Sequence, residues 1–183
     1  MLIRSHALQF EYKEVITYPV DQVFPLLRDK TTALVPYLPN VVGVERVLTE
    51  ELDNGNLHTI KAWTGTPASV PSVIRPFIAP DQLKWLDHAE WNNEECSVEW
   101  RFETTTFTEL YVCGGKNYVR DLGDGTCQLH IAGHLTVQGD KLPGVPRLLG
   151  RKLAPTIEKW VVGNVTPNIA CMPTACQTYL DSL

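Results

Sequence analysis

The sequence predicts an α+β fold, a curved antiparallel sheet of about seven strands wrapped around one long C-terminal helix, with two short helices after the first strand. Three observations carry this expectation. From Val145 to Leu183 the apolar residues recur in steps of three and four, as on one face of a helix. Between Val41 and Gln138, stretches alternating with a period of two are joined by short turns rich in Gly, Asn and Asp. Prolines mark the remaining boundaries.

The first strand is read from Leu8, Phe10, Tyr12 and Ile16 alternating with Gln9, Glu11, Lys13 and Thr17. Pro19 ends it, and Asp21 is placed to cap a short helix carrying Val20, Val23, Phe24 and Leu27, with Pro25 tolerated in its first turn. A second short helix is expected over Thr31 to Tyr37. Val41 to Glu50 and Leu57 to Thr64 flank Asp53, Asn54 and Gly55, residues that accept the positive φ of a tight hairpin.

Gly65 to Pro80 breaks the alternation with Pro67, Pro71, Pro76 and Pro80, yet carries Val70, Val73, Ile74, Phe77 and Ile78. Such a segment needs shelter, so it is read as a short helix with flanking turns acting as a cover. Gln82 to Trp91 forms the next strand, followed by Cys96 to Phe102, where Val98, Trp100 and Phe102 face inward and Glu99, Arg101 and Glu103 outward. Leu110 to Asp121 follows, with a bulge or bend expected at Gly114 and Gly115. The Gly123-Asp124-Gly125 turn leads into Cys127 to Gln138, with Leu129 and Ile131 inward. The closing helix, about 50 Å long if continuous over roughly 35 residues, carries Ile157, Trp160 and Val161 on its apolar stripe; Pro155, Pro167 and Pro173 are expected to bend or segment it.

At 183 residues the chain is expected to form one domain. A net charge of -5, with Lys and Arg scattered, excludes the basic field that nucleic acid requires. No apolar run approaches the ~20 residues of a membrane span, and Met1 to His6 is too short and polar for a signal peptide, so a cytoplasmic protein is expected. Cys96, Cys113, Cys127, Cys171 and Cys176 are odd in number and lack a Cys-x-x-Cys pair, which speaks against disulfides and thiolate metal sites.

Catalytic motifs do not emerge. His130 and His134 are four apart, but on a strand, where they share the polar face with Gln128, Thr136 and Gln138 and no further ligand stands beside them. Gly123-Asp124-Gly125 is too short for a phosphate loop, and no Gly-x-Ser-x-Gly elbow occurs. Neither metal nor cofactor is expected.

The element order, the run from Val15 to Phe24 (Val-Ile-Thr-Tyr-Pro-Val-Asp-Gln-Val-Phe) and the closing amphipathic helix resemble the START and Bet v 1-like superfamily, whose fold is the helix grip. That resemblance spans nearly the whole chain and implies a cavity between sheet and helix. Members bind sterols, phospholipids, fatty acids or polyketides there, and some, such as polyketide cyclases, do chemistry in it. Fold alone does not choose between these.

Binding of a hydrophobic small molecule or lipid is therefore the expected function. The alternatives are an enzyme of the cyclase or aromatase type acting in the same cavity, and a filled structural or interaction module. The expected lining is Phe10, Tyr12, Trp63, Phe77, Trp85, Val98, Trp100, Phe102, Leu129, Ile131, Ile157, Trp160 and Val161, because each aromatic ring at an inward position buries roughly 150 to 250 Å². A chain of ~14 carbons would gain roughly 11 kcal/mol gross from burial alone. Glu14, inward by alternation, and Arg120, near the end of its strand, are the candidate polar anchors. Apart from this ligand, no nucleic acid or integral membrane segment is expected. Transient membrane contact stays compatible with the sequence, as does either a monomer or a homodimer.

Overall fold

The computed structural model describes residues 6–104 and 106–183. Most of the Met1 to His6 stretch weighed above as a leader lies outside the described residues. Seven antiparallel strands form one sheet: β1 (His6–Ile16), β2 (Val41–Glu51), β3 (Leu57–Gly65), β4 (Lys84–Asn92), β5 (Ser97–Glu103), β6 (Tyr111–Gly123) and β7 (Thr126–Val137). Their spatial order is β1-β7-β6-β5-β4-β3-β2, so every sequential pair from β2 to β7 is adjacent and β1 closes the far edge against β7. Helix α1 (Val20–Asp29) and a 3-10 turn (Thr31–Tyr37) follow β1, as expected.

The alternation on β5 is realised as read. Val98 and Trp100 are buried and Phe102 is half-buried, while Glu99, Arg101 and Glu103 are exposed. A slip of one residue would place three charges in the core. The hairpin turn also forms, with Gly55 at φ 78° and Asn54 Oδ1 accepting from the backbone N–H of Asn56 at 3.0 Å.

Two expectations need correction. The first concerns α1, which begins after Pro19 and has no side-chain cap; Asp21 lies instead within its first turn, where a carboxylate complements the helix dipole. The second concerns β6: Gly114 and Gly115 make no bulge, since the register with β7 runs through both without a shift. They are glycines because of what approaches them. A Cβ on Gly115 would lie 2.9 Å from the Trp100 ring, and one on Gly133 would lie 2.7 Å from the Phe10 ring. Backbone and ring atoms of neighbouring strands thus come too close at Gly115 and Gly133 to admit a side chain.

The C-terminal stretch is segmented, as its prolines lead one to expect, into two helices, α2 (Arg147–Ala170) and α3 (Met172–Asp181), parted at Cys171. Pro155 and Pro167 are tolerated inside α2 with exposed rings. The helix ends where Cys171 N–H bonds back to the Pro167 carbonyl, and Pro173 occupies the first turn of α3, where its missing N–H costs no bond. Gln177 on α3 then bonds Thr17 twice, at 2.8 Å each, and Tyr18 donates to Asp181 at 3.0 Å, fastening the end of β1 to the last helix. Beneath this joint Ile16, Cys127, Leu129 and Cys176 are fully buried. All five cysteines are free thiols.

The proline-rich segment before β4 forms three short 3-10 turns, Pro67–Ser69, Arg75–Phe77 and Pro80–Gln82. Val70, Ile74, Ile78 and Leu83 anchor them in the core, and the Arg75 guanidinium donates to the Val70 carbonyl at 3.0 Å.

Candidate functional site

The concave face of the sheet is the set of inward positions that alternation dictates. On β3 these are Thr59, Lys61 and Trp63; on β4 they are Trp85, Asp87, Ala89 and Trp91. β5 contributes Val98, Trp100 and Phe102, and β7 contributes Ile131. Across from them α2 presents Trp160, Val161, Asn164 and Val165, and the 3-10 segment closes one side with Thr66 and Ser69. Between these walls lies a half-enclosed cavity of about 180 Å³.

The chain has five tryptophans, and all five line this cavity. Trp63 and Trp85 stack across β3 and β4 with centroids 6.1 Å apart and planes 6° from parallel. Phe102 bridges Trp85 and Trp100 at 6.0 and 5.1 Å. Two indole N–H groups are satisfied, Trp91 donating to Thr59 Oγ1 at 3.0 Å and Trp100 to Asn117 Oδ1 at 2.8 Å. The buried indole nitrogens of Trp63, Trp85 and Trp160 have no hydrogen-bond partner among the described residues, nor has Asp87 Oδ1. Four unmatched polar atoms around one cavity is unusual, because buried polar groups are normally paired.

Lys61 is the other departure from an apolar lining. It is 4% exposed and donates to the Leu27 carbonyl at 3.0 Å and to Thr31 Oγ1 at 2.6 Å, with its Nζ 5.1 Å from the centre of the Trp91 ring. Thr31 in turn donates to the same Leu27 carbonyl at 2.6 Å, so its oxygen is free to accept from Lys61. Burial disfavours the ammonium and lowers its pKa to about 8, with Asp87 pulling the other way. Asp87 stands directly opposite in the β3–β4 register. Its carboxyl is raised to about 6 by burial, opposed by Lys61 and by the Trp63 indole.

The structure brings together Trp63, Trp85, Val98, Trp100, Phe102, Ile131, Trp160 and Val161 at the cavity. Phe10 and Tyr12 stack on one another at 5.9 Å, and Phe10 reaches Trp100 at 6.4 Å. Leu129 and Ile157 are fully buried in the adjoining core, and Phe77 is half-buried within the 3-10 turns; none of these five lines the cavity. The two charged anchors lie elsewhere. Glu14 belongs to the edge strand β1 and is exposed. Arg120 has the parity of the convex face, where its guanidinium sits 5.2 Å over the Tyr118 ring.

Lys61 and Asp87 are absent from the lining expected of the sequence. The signal for them is present there: Lys61 falls between Thr59 and Trp63, and Asp87 between Trp85 and Ala89, each on the inward parity of its strand. On the convex face His130 pairs with Glu11 at 2.8 Å and His134 is exposed. No group of His, Cys, Asp and Glu among the described residues is arranged to hold a metal ion. No helix among them is long and apolar enough to cross a membrane.

No family model matches the chain, and no curated protein does. Solved structures match closely in shape. The Zhui aromatase/cyclase from Streptomyces sp. R1128 superposes with a TM-score of 0.62 at 13% identity, covering 96% of each chain. Norcoclaurine synthase from Thalictrum flavum gives 0.58 at 13% identity, covering 98% of this chain and 89% of that one. Ara h 8.0201 gives 0.55 at 15% identity over 97% and 100%. At such identities the likeness is one of fold. Seven antiparallel strands gripping a long C-terminal helix, shared over nearly the full length of all three, identify this chain as having the helix-grip fold of the START and Bet v 1-like superfamily.

Proposed function

We propose that the protein binds a hydrophobic small molecule in the cavity between the sheet and the C-terminal helices. The observation that carries this reading is the convergence of all five tryptophans on one half-enclosed space of about 180 Å³. Core aromatics normally pack to leave no such space, so the lining loses contacts that a ligand would restore. The volume also bears on the ligand. A dry cavity of about 150 Å³ takes up benzene, so this one suits a compact molecule of one or two rings. A ~14-carbon acyl chain would require the 3-10 segment to move aside.

A second reading, an enzyme of the cyclase or aromatase type, is favoured by one observation: Lys61 and Asp87 place two ionisable groups in the same wall. A filled structural module has the cavity against it.

Native mass spectrometry of freshly purified protein, followed by denaturing extraction, tests the binding reading. A co-purified small molecule, or saturable uptake of 2-naphthol by stripped protein, is the expected result. Bare protein that takes up no apolar probe would leave the filled module as the better account.

A further inference from the structure

Lys61 is not held as an ordinary buried cation. It has no ion-pair partner among the described residues, although Asp87 is its direct cross-strand neighbour. Both protein acceptors of its Nζ, the Leu27 carbonyl and Thr31 Oγ1, are uncharged. Two acceptors match the two N–H groups of a neutral amine, and no third hydrogen-bond acceptor among the described residues takes the remaining tetrahedral position; the Trp91 ring stands near the nitrogen, its centre 5.1 Å away. The same residue lines the cavity, beside a carboxylate oxygen with no partner of its own.

We infer that Lys61 is a nucleophilic amine that condenses with an aromatic aldehyde or ketone admitted to the cavity, and that Asp87 shuttles the proton for this condensation. This deepens the binding reading and rests on it. The Lys61 nitrogen attacks the carbonyl carbon, the C=O π pair moves to oxygen, and a proton passes from nitrogen to that oxygen, giving a carbinolamine. Asp87, in its acid form, then protonates the hydroxyl. The C–O bond breaks, water leaves, and the nitrogen lone pair closes a C=N bond. The iminium stands against the Asp87 carboxylate or returns its proton there. One carbonyl and one amine give one imine and one water, with no oxidant or reductant.

The surroundings favour this step. Desolvation that brings Lys61 to about 8 leaves far more free amine at neutral pH than an exposed lysine has. Burial that brings Asp87 to about 6 keeps part of it protonated, as a proton donor to a leaving hydroxyl must be. The pair closes no ion pair, and both residues line the same cavity.

Reductive trapping tests the inference. The full chain is incubated at pH 7.5 with 2-naphthaldehyde and cyanoborohydride, sampled over time by intact mass, and mapped by proteolysis. Binding of 2-naphthol, which has the same rings and no carbonyl, is measured in parallel. The expected result is one adduct at Lys61, formed at least about ten-fold faster than at the exposed Lys13 or Lys159. Lys61→Arg should lose it, and Asp87→Asn should slow it about ten-fold or more. The map of the unaltered protein decides even where a variant fails to fold. Adducts confined to surface lysines, with 2-naphthol bound, would overturn the amine inference and leave the pocket standing. So would tighter binding of 2-naphthoate with Lys61 unlabelled, which would make the lysine a counter-ion. Failure to bind any of the three probes would overturn the pocket reading itself.

Discussion

Lys61 and Asp87 face each other across β3 and β4 in the cavity wall without closing an ion pair, and each is displaced toward its neutral form by burial. The pair therefore sets how stability depends on pH. In the folded protein Asp87 keeps its proton to about pH 6, whereas the unfolded chain releases it near 3.8, so the folded state binds more protons in that interval and stability falls as pH rises through it. Lys61 acts in the opposite sense higher up. The folded state loses that proton near 8 and the unfolded chain near 10.5, so stability rises across that window. Asp87→Asn removes the first effect. Relative to the unaltered protein, it should gain up to about 3 kcal/mol between pH 4 and pH 7, read from urea unfolding at each pH. A difference that does not change with pH would show that Asp87 is not held near neutrality.

Gly133 lies under the Phe10 ring, where an added Cβ would come within 2.7 Å of the ring and of the Gly114 carbonyl. Gly133→Ala should destabilise by about 1 to 3 kcal/mol, as overpacking generally does. Adding Phe10→Ala should recover only part of that loss, since the carbonyl contact is backbone. Simple additivity of the two substitutions in urea unfolding would mean that the ring and the glycine do not depend on each other.

Ile157 and Val165 lie on the same helix and should respond oppositely to enlargement. Ile157 is 0% exposed and does not line the cavity, whereas Val165 does. Ile157→Trp should overpack, costing about 1 to 3 kcal/mol. Val165→Phe has room to extend, so its thermal midpoint should hold while uptake of 2-naphthol falls at least about five-fold. Equal destabilisation by both would place Val165 in a filled core.

The turns between Thr66 and Gln82 lean on Val70, Ile74 and Ile78, and their backbone bonds are local turn bonds rather than sheet ladders, while Thr66 and Ser69 line the cavity. We expect this segment to act as a cover that opens by itself. Its amides should exchange faster than those of β5, β6 and β7 in the free protein and slow on addition of ligand. Protection equal to the central strands in both states would mean that it does not open.

What the sequence makes legible is parity. Trp100 between Glu99 and Arg101 can face only one way, and the same alternation assigns Trp63, Trp85, Val98, Phe102 and Ile131 to the concave face. Parity alone does not separate the cavity wall from the core behind it, which is why Leu129 and Ile157, correctly inward, do not reach the open space. It also misleads at an edge: Glu14 has inward parity but belongs to β1, the last strand of the sheet. Lys61 and Asp87 escape a reading that takes charge as a mark of the surface, although their strand positions already set them beside tryptophans. The glycines on β6 suggest chain bending, yet their role, like that of Gly133 on β7, is steric. It depends on which backbone and side-chain atoms of the next strand come close, a fact of register that spacing within one strand does not contain.

The binding claim is tested most directly by the indole N–H signals of ¹⁵N-labelled protein during titration with 2-naphthol. All five tryptophans line one cavity, and the indoles of Trp63, Trp85 and Trp160 have no hydrogen-bond partner among the described residues. These three signals should shift together and saturate along a single isotherm, with smaller shifts for Trp91 and Trp100, whose N–H groups are already engaged. Five indole signals unmoved up to the solubility limit of the probe would contradict the account.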